Sequence, residues 1–234
     1  MSDLPTLAFA GIGLMGLPMC RRLLAAGYRL AVWNRSPEKC QPLVELGARA
    51  VATPAELCAE ADIVLLCLAD TAAVREVLFG KGGIADGGKA GKVLVDHSSL
   101  EPTATRDMAA ELEFRSGMRW VDAPVSGGTA GAEAGSLVIM AGGRVEDVER
   151  VRPVLMNLGQ RLTHMGEVGA GQVTKVCNQM IVACNALVIA EVVALAERAG
   201  VDSSLLAPAL AGGFADSKPL QKEFLLKMGR TGFP

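Results

Sequence analysis

Hydrophobic residues in the first part of the chain come in short unbroken runs, separated by stretches with helical spacing. Leu7–Ala10, Leu30–Trp33, Ile63–Leu68, Val93–Asp96, Trp120–Ala123 and Leu137–Ala141 are continuous rather than alternating. Such runs predict strands of a parallel sheet whose two faces are both covered by helices. Helical patterns fill the intervals at Leu17–Ala26, Pro37–Glu45, Pro54–Glu60, Thr71–Leu78 and Pro102–Arg115. Prolines near several of their starts match the first-turn preference. Repeated strand–helix–strand units are right-handed and build a doubly wound sheet.

The pattern changes at Gln172. No proline or glycine interrupts the 28 residues to Ala199, and Gly200 then supplies a stop. One long, mostly buried helix is predicted there, followed by helices over Ser203–Ala211 and from about Pro219. The expected fold is therefore α/β: a Rossmann-type, mostly parallel sheet over residues 1–166, then a long helix and a partial all-α domain over 167–234. A glycine-rich hinge at Gly166–Gly171 separates them. A second region of about 65 residues is too small to bury such a helix alone. It is expected to pack on another chain or to be part of a larger domain.

Composition narrows the function classes. Half of the 234 residues are hydrophobic and 21% are charged, enough for a substantial core. The net charge of −2, with acids and bases interleaved, gives no electrostatic footprint for nucleic acid. A basic run for a membrane surface is also missing from the sequence. Met180–Leu195 is apolar but holds Asn185 and Glu191 and falls short of a ~20-residue span, so a buried helix is expected over a membrane span. The N-terminus has no basic-then-apolar leader, which points to the cytosol. Six scattered cysteines without a CxxC pair read as small buried residues, with no disulfide and no metal site expected.

The candidate chemistry begins where the first strand ends. Gly11-Ile12-Gly13-Leu14-Met15-Gly16 is a GxGxxG run placed between a first strand and a first helix, the context that gives this motif its meaning. Its glycines allow a tight turn, close approach of the backbone to a pyrophosphate, and close packing of helix on strand. The helix N-terminus then receives the phosphates. About 20 residues on, NAD-binding chains carry an acid for the ribose hydroxyls. Here the second strand is followed by Asn34-Arg35-Ser36. A planar Arg35 fork flanked by two neutral hydrogen-bonding side chains suits a 2′-phosphate, so NADP(H) is favoured and NAD(H) is the alternative.

Four segments carry a family resemblance: Gly11–Gly16 with Leu17-Pro18-Met19, Asp96–Pro102, Asp122–Ala132 and Gly169–Gln179. Through them the chain resembles the β-hydroxyacid dehydrogenase family over nearly all of its length. The middle two segments follow apolar strands, and so emerge at the strand ends where open α/β sheets bind ligands. Ser126-Gly127-Gly128 exposes backbone amides that suit a carboxylate. The resemblance assigns them the acid group of a small carboxylic-acid substrate. It also places Ser99 near the nicotinamide and Leu68-Ala69-Asp70 beside the cofactor ribose.

Lys175 is the expected catalytic residue. It opens an otherwise apolar helix, where an ammonium is costly without work or a partner. It would protonate the carbonyl oxygen in reduction and take the hydroxyl proton in oxidation. Gln179, four residues on and on the same helix face, would orient that oxygen, with Asn178 beside it. Many family members carry Asn at the position of Gln179. Gln there favours the branch of tartronate semialdehyde (2-hydroxy-3-oxopropionate) reductases. His97 and His164 are read as satisfying local hydrogen bonds.

The resemblance further implies homodimers or homotetramers through the helical region. The family's C-terminal domain is expected to continue beyond the point where this chain stops. The resulting expectation is an NADP(H)-dependent oxidoreductase of a small β-hydroxy acid or its semialdehyde. The alternatives are an NAD-dependent 3-hydroxyisobutyrate dehydrogenase and a catalytically silent dinucleotide-binding module.

Overall fold

Leu7, Ala8, Phe9 and Ala10 are all fully buried, which is what an unbroken apolar tetrapeptide needs and what a central parallel strand provides. The computed structural model describes residues 4–221. Contacts divide the chain into two compact units, Met1–Lys175 and Val176–Pro234.

The first unit alternates strands and helices. It begins β1 (Leu7–Ala10), α1 (Gly16–Ala25), β2 (Leu30–Trp33), a 3-10 turn at Pro37–Cys40 and α2 (Gln41–Val44). Then come β3 (Arg49–Ala50), α3 (Pro54–Ala59), β4 (Ile63–Leu66), α4 (Thr71–Phe79), α5 (Ile84–Gly87), β5 (Val93–Asp96) and α6 (Pro102–Ser116). It continues with β6 (Arg119–Asp122), β7 (Val125–Ser126), α7 (Gly128–Ala134), β8 (Leu137–Gly142), α8 (Val145–Leu155) and β9 (Gly159–Gly166). Helix α9 (Ala170–Arg198) starts in this unit and runs on into the second.

The strands form one sheet in the order β3-β2-β1-β4-β5-β6-β8-β7, with β9 on β8. Strands β1 to β6 pair in parallel, with Ala10 opposite Trp33 on one side and Leu66 on the other. After β3 the chain returns across β1 to lay down β4. The reversal leaves a crevice at the carboxyl ends of β1 and β4, the switch point at which doubly wound sheets bind ligands. Two apolar clusters cover the faces of the sheet, one around Phe9, Leu65 and Ile139, the other around Leu66, Leu94 and Trp120.

The mostly parallel Rossmann-type sheet is thus as expected. Several short elements were not foreseen. Strand β3 has two exposed residues and β7 has two residues, too few for any periodicity. Helix α8 carries Pro153 in its interior and three acids followed by two bases, which conceal its buried face of Val148, Val151, Val154 and Leu155. Strand β8 runs antiparallel to β6 and β7, so the sheet is mixed at that end.

In the second unit, α9 continues and is followed by a 3-10 turn at Ser203–Leu205 and α10 (Leu206–Leu210). Ile189, Val193, Ala207 and Leu220 form its small core. The helix expected from about Pro219 lies almost entirely outside the described residues.

Two burial expectations need correction. Within this chain α9 is not mostly buried: Met180, Ile181, Leu187, Val188 and Leu195 are each at least 60% exposed. Its apolar residues surround the helix instead of forming one stripe, so a single neighbour cannot cover them. By length and composition alone, α9 is apolar enough to cross a membrane. The cysteines also divide: Cys20, Cys40 and Cys58 are buried and Cys67 is half-buried, but Cys177 and Cys184 on α9 are exposed.

Candidate active site

The loop after β1 is built from the backbone outward. Gly11 has φ +97°, and a Cβ there would strike the Cys67 carbonyl oxygen and Leu68 Cδ2. A Cβ on Gly16 would strike the carbonyl oxygen of Gly11. These two glycines hold loop, helix and neighbouring strand in contact. Gly13 differs: it is exposed, and nothing lies within 4 Å of where its Cβ would stand. Ile12 and Met15 pack into the core and Leu14 is 85% exposed, so the loop presents main chain rather than side chains at its crest.

Helix α1 completes the cradle. No side chain caps its N-terminus and its first turn holds no acid. Helices α3, α4 and α6 are each capped by a side chain, from Thr53, Asp70 and Glu101. Free amides at the positive end of a helix dipole suit a bridging phosphate group. The open space over Gly13 leaves room for it, so these residues fit a dinucleotide.

Asn34 closes β2 and braces this loop. Its Oδ1 accepts from Ile12 N at 3.0 Å and its Nδ2 donates to the Ser36 carbonyl at 2.9 Å. Its amide is thus engaged at both ends in holding the loop. Arg35 between them is exposed and has no side-chain partner among the described residues.

The second wall follows β4 and β5. Ser98 Oγ accepts from Leu68 N at 2.9 Å, tying the two strand-end loops together. Ala69 and Asp70 are exposed, and Asp70 Oδ1 accepts from Ala73 N at 2.8 Å, capping α4. Ser98 and Leu100 are buried while Ser99 between them is exposed.

Beneath this wall lie two titratable groups side by side. Burial pushes the Asp96 carboxyl up to about 7, helped by Asp122 in register on β6, against hydrogen bonds from Ser98. Burial brings His97 down to about 4; its Nδ1 faces the Ala123 carbonyl at 2.8 Å, so it sits neutral near pH 7. His164 Nε2 lies 2.8 Å from the Gly143 carbonyl and 2.9 Å from that of Gly166. Both rings are thus engaged by main chain.

The signs of Asp96 and His97 are opposite. Between its ordinary 3.8 and about 7, folded Asp96 holds a proton that the unfolded chain releases, so its contribution to stability falls as pH rises. Between about 4 and 6.5 the unfolded chain protonates His97 and the folded one does not, so that contribution rises. Substituting Asp96→Asn removes only the first. The melting temperature of the variant, measured against the wild type, is expected to climb steadily from about pH 4 to pH 7. A flat difference would show that Asp96 is not held protonated.

The third wall joins β6, β7 and the start of α9. Asp122 is fully buried, and its Oδ1 and Oδ2 accept from Gly169 N at 2.7 Å and Gln172 N at 2.9 Å. A strand carboxylate thereby caps the first turn of a helix. Burial nevertheless raises the pKa of Asp122, and the bonds from Gly169 and Gln172 lower it only in part. Ser126 ends β7, Gly127 caps α7 and Gly128 opens it, with Gly127 at φ +138° and Gly128 at φ +63°, a pair of conformations that side chains rarely adopt. Lys175 is half-buried on α9, and its Nζ donates to the Val125 carbonyl at 2.8 Å. Burial lowers its pKa. In the second unit, Asn178 Nδ2 donates to Gln179 Oε1 at 3.3 Å and Gln179 is exposed.

Sequence reasoning overlooked Asp122 and Gln172 as individual residues. Both stand in the segments that carried the resemblance. The available signal was a carboxylate and a carboxamide in otherwise apolar or small-residue surroundings, where polar groups must have partners.

A strand, a glycine loop and an uncapped helix at the switch point of a parallel sheet define a Rossmann-type dinucleotide-binding protein. Comparison with known proteins specifies the class. Residues 6–166 match the NAD binding domain of 6-phosphogluconate dehydrogenase, and residues 169–233 match the NAD-binding domain of NADP-dependent 3-hydroxyisobutyrate dehydrogenase. The chain is 41% identical to the 2-hydroxy-3-oxopropionate reductase of Escherichia coli, over 92% of this chain and 73% of that one. It is 34% identical to the mitochondrial 3-hydroxyisobutyrate dehydrogenase of Mus musculus, over 90% of this chain and 62% of that one. The solved Mycobacterium tuberculosis 3-hydroxyisobutyrate dehydrogenase with L-serine superposes with a TM-score of 0.86 at 33% identity, over 93% of this chain and 73% of that one.

The chain belongs to the β-hydroxyacid dehydrogenase family. It is an NAD(P)-dependent oxidoreductase acting on CH–OH groups, and its cofactor is a nicotinamide dinucleotide.

Proposed function

We propose that the protein is an NADP(H)-preferring reductase of small β-hydroxy-acid semialdehydes, with 2-hydroxy-3-oxopropionate as its first substrate. The observation that carries this reading is Lys175: a half-buried ammonium whose Nζ is 2.8 Å from the carbonyl of Val125, next to the Ser126-Gly127-Gly128 turn. A cation beside a glycine turn, with Gly127 and Gly128 exposed, suits a substrate with a carboxylate and a carbonyl a few bonds apart. The likeness to the E. coli reductase and the amide at Gln179 support the tartronate branch.

The nicotinamide supplies or accepts the hydride when the cofactor is bound. The chain's own residues do the rest. Gly11 to Gly16 and the start of α1 hold the pyrophosphate, and Leu68, Ala69, Asp70 and Ser99 border the ribose and nicotinamide. Main-chain amides of Ser126, Gly127 and Gly128 bind the substrate carboxylate. In reduction, Lys175 Nζ gives a proton to the carbonyl oxygen; in oxidation, the neutral amine takes it from the hydroxyl. Gln179 and Asn178 supply neutral hydrogen bonds to that oxygen or its neighbour. Exposed apolar residues along α9 support the homo-oligomer that the family resemblance implies.

The reading is tested by following oxidation of NADPH and NADH with 2-hydroxy-3-oxopropionate and methylmalonate semialdehyde. Fastest turnover with NADPH and the first aldehyde supports it. Preference for NADH and the second makes the protein a 3-hydroxyisobutyrate dehydrogenase, and no turnover with any pair overturns the enzymatic reading. Arg35 tests the cofactor preference separately. Charge-assisted bonds to a phosphate contribute about 1.5–3 kcal/mol. Arg35→Ala is therefore expected to weaken NADPH about tenfold to a hundredfold by fluorescence titration and to leave NADH unchanged. Equal losses for both cofactors would refute the phosphate role.

A further inference from the structure

Gln172 is fully buried, and its side chain joins two of the site's segments. Its Oε1 accepts from Leu100 N at 3.0 Å and its Nε2 donates to the Ser98 carbonyl at 2.8 Å. One carboxamide thus grips the main chain on both sides of Ser99, in the donor–acceptor pattern of a neighbouring strand. Ser99 itself is left exposed at the crest. Meanwhile the Gln172 main-chain N–H is held by Asp122 at 2.9 Å. Lys175 lies three residues further along α9, on the same side of the helix. Its Nζ is held by Val125, three residues after Asp122.

We infer that Gln172 is a positioning residue that fixes the distance between the Ser99 segment, beside the nicotinamide, and the Lys175 ammonium. The inference rests on the proposed roles of the Ser99 segment and Lys175. Hydride and proton must reach adjacent atoms of one carbonyl group, so the two donors have to be held in one frame. A buried carboxamide with both ends engaged is a stiff connector, because releasing either bond strands a polar group away from water. The walls are also joined lower down, by the β5–β6 pairing and by His97 Nδ1 against the Ala123 carbonyl, but those bonds lie before Ser98 and leave the main chain on either side of Ser99 to Gln172. Ser98 Oγ ties the 98–100 segment to Leu68, on the cofactor side, and Asp122 ties α9 to β6, on the substrate side.

The test is Gln172→Met, which keeps length and volume and removes both side-chain bonds. Displacement of reacting groups by about 1 Å costs roughly a hundredfold in rate. A fall of about that size in kcat is expected, with cofactor affinity and the KM for aldehyde little changed. The primary isotope effect with 4-deuterated reduced cofactor should rise, because hydride transfer becomes slower relative to release. Gln172→Glu keeps the acceptor for Leu100 and loses the donor to Ser98 wherever its carboxyl is ionised, so its loss of kcat relative to the wild type should grow as pH rises. If the Met variant does not fold, the Glu variant decides by the same division between kcat and KM. Wild-type kcat in a folded variant, or a loss carried by KM or cofactor affinity alone, overturns the inference. Lys175→Ala is assayed in parallel. Inactive Lys175→Ala beside fully active Gln172→Met refutes the positioning role alone, whereas active Lys175→Ala refutes the underlying reading and this inference with it.

Discussion

Lys175→Ala is expected to lower reductive turnover by roughly a hundred- to ten-thousand-fold, the range that a positioned general acid contributes. The Lys175 Nζ is bonded to the carbonyl of Val125 and to no atom of the Gly11–Gly16 loop. Affinity for NADPH should therefore stay nearly intact, which separates a chemical defect from a binding defect. The pH profile of the wild type provides a second check. Burial holds the lysine below its ordinary value of 10.5. The ammonium acts in reduction, so kcat for reduction should fall as pH rises through the lowered pKa. The neutral amine acts in oxidation, so that rate should rise over the same interval. Both limbs should be absent from the alanine variant. Full activity in Lys175→Ala would remove the acid/base assignment.

Gly11→Ala is expected to damage the fold and the cofactor site together. Its methyl group would enter the carbonyl oxygen of Cys67 and approach Leu68 Cδ2 at a backbone φ of +97°. The left-handed conformation costs about 1–2 kcal/mol for a side-chain-bearing residue. Forced overpacking adds about 1–3 kcal/mol. For a chain of this size the sum corresponds to a loss of roughly 5–15 °C in melting temperature. Because β1, its loop and β4 meet at that contact, NADPH binding should be lost as well. Gly13→Ala is the matched control. Nothing lies within 4 Å of its Cβ position. The melting temperature should stay within the effect of about 0.5 kcal/mol usual for a surface change. Its cofactor affinity should still fall, since the methyl group would stand in the space left for the pyrophosphate. A Gly11→Ala protein that melts like the wild type would refute the contact with Cys67.

The strands that build the crevice were legible because each is an unbroken apolar run. Burial on both faces of a parallel sheet leaves that signature in composition. Gly11 and Gly16 were legible for a related reason: a strand–turn–helix corner with close backbone contacts tolerates few other residues, and Gly13 was legible from its spacing between them. Lys175 stood out as a charge in an apolar helix. Helix α8 was not legible, because its apolar face is narrow and Pro153 interrupts it. Nor was the exposure of α9. Apolarity of a segment says that it needs a neighbour, not whether this chain supplies one.

By itself, then, the sequence determined the order of elements around β1 and β4, the dinucleotide loop and the identity of the expected proton donor, all of which depend on residues close together in the chain. The tertiary structure decided what depends on residues far apart. Asp122 caps a helix that starts 48 residues later, and Gln172 grips a loop more than 70 residues earlier. Asn34 braces the loop at Ile12, 22 residues earlier in the chain. A polar side chain declares in sequence that it needs partners, but only the packed sheet brings those partners within hydrogen-bond reach.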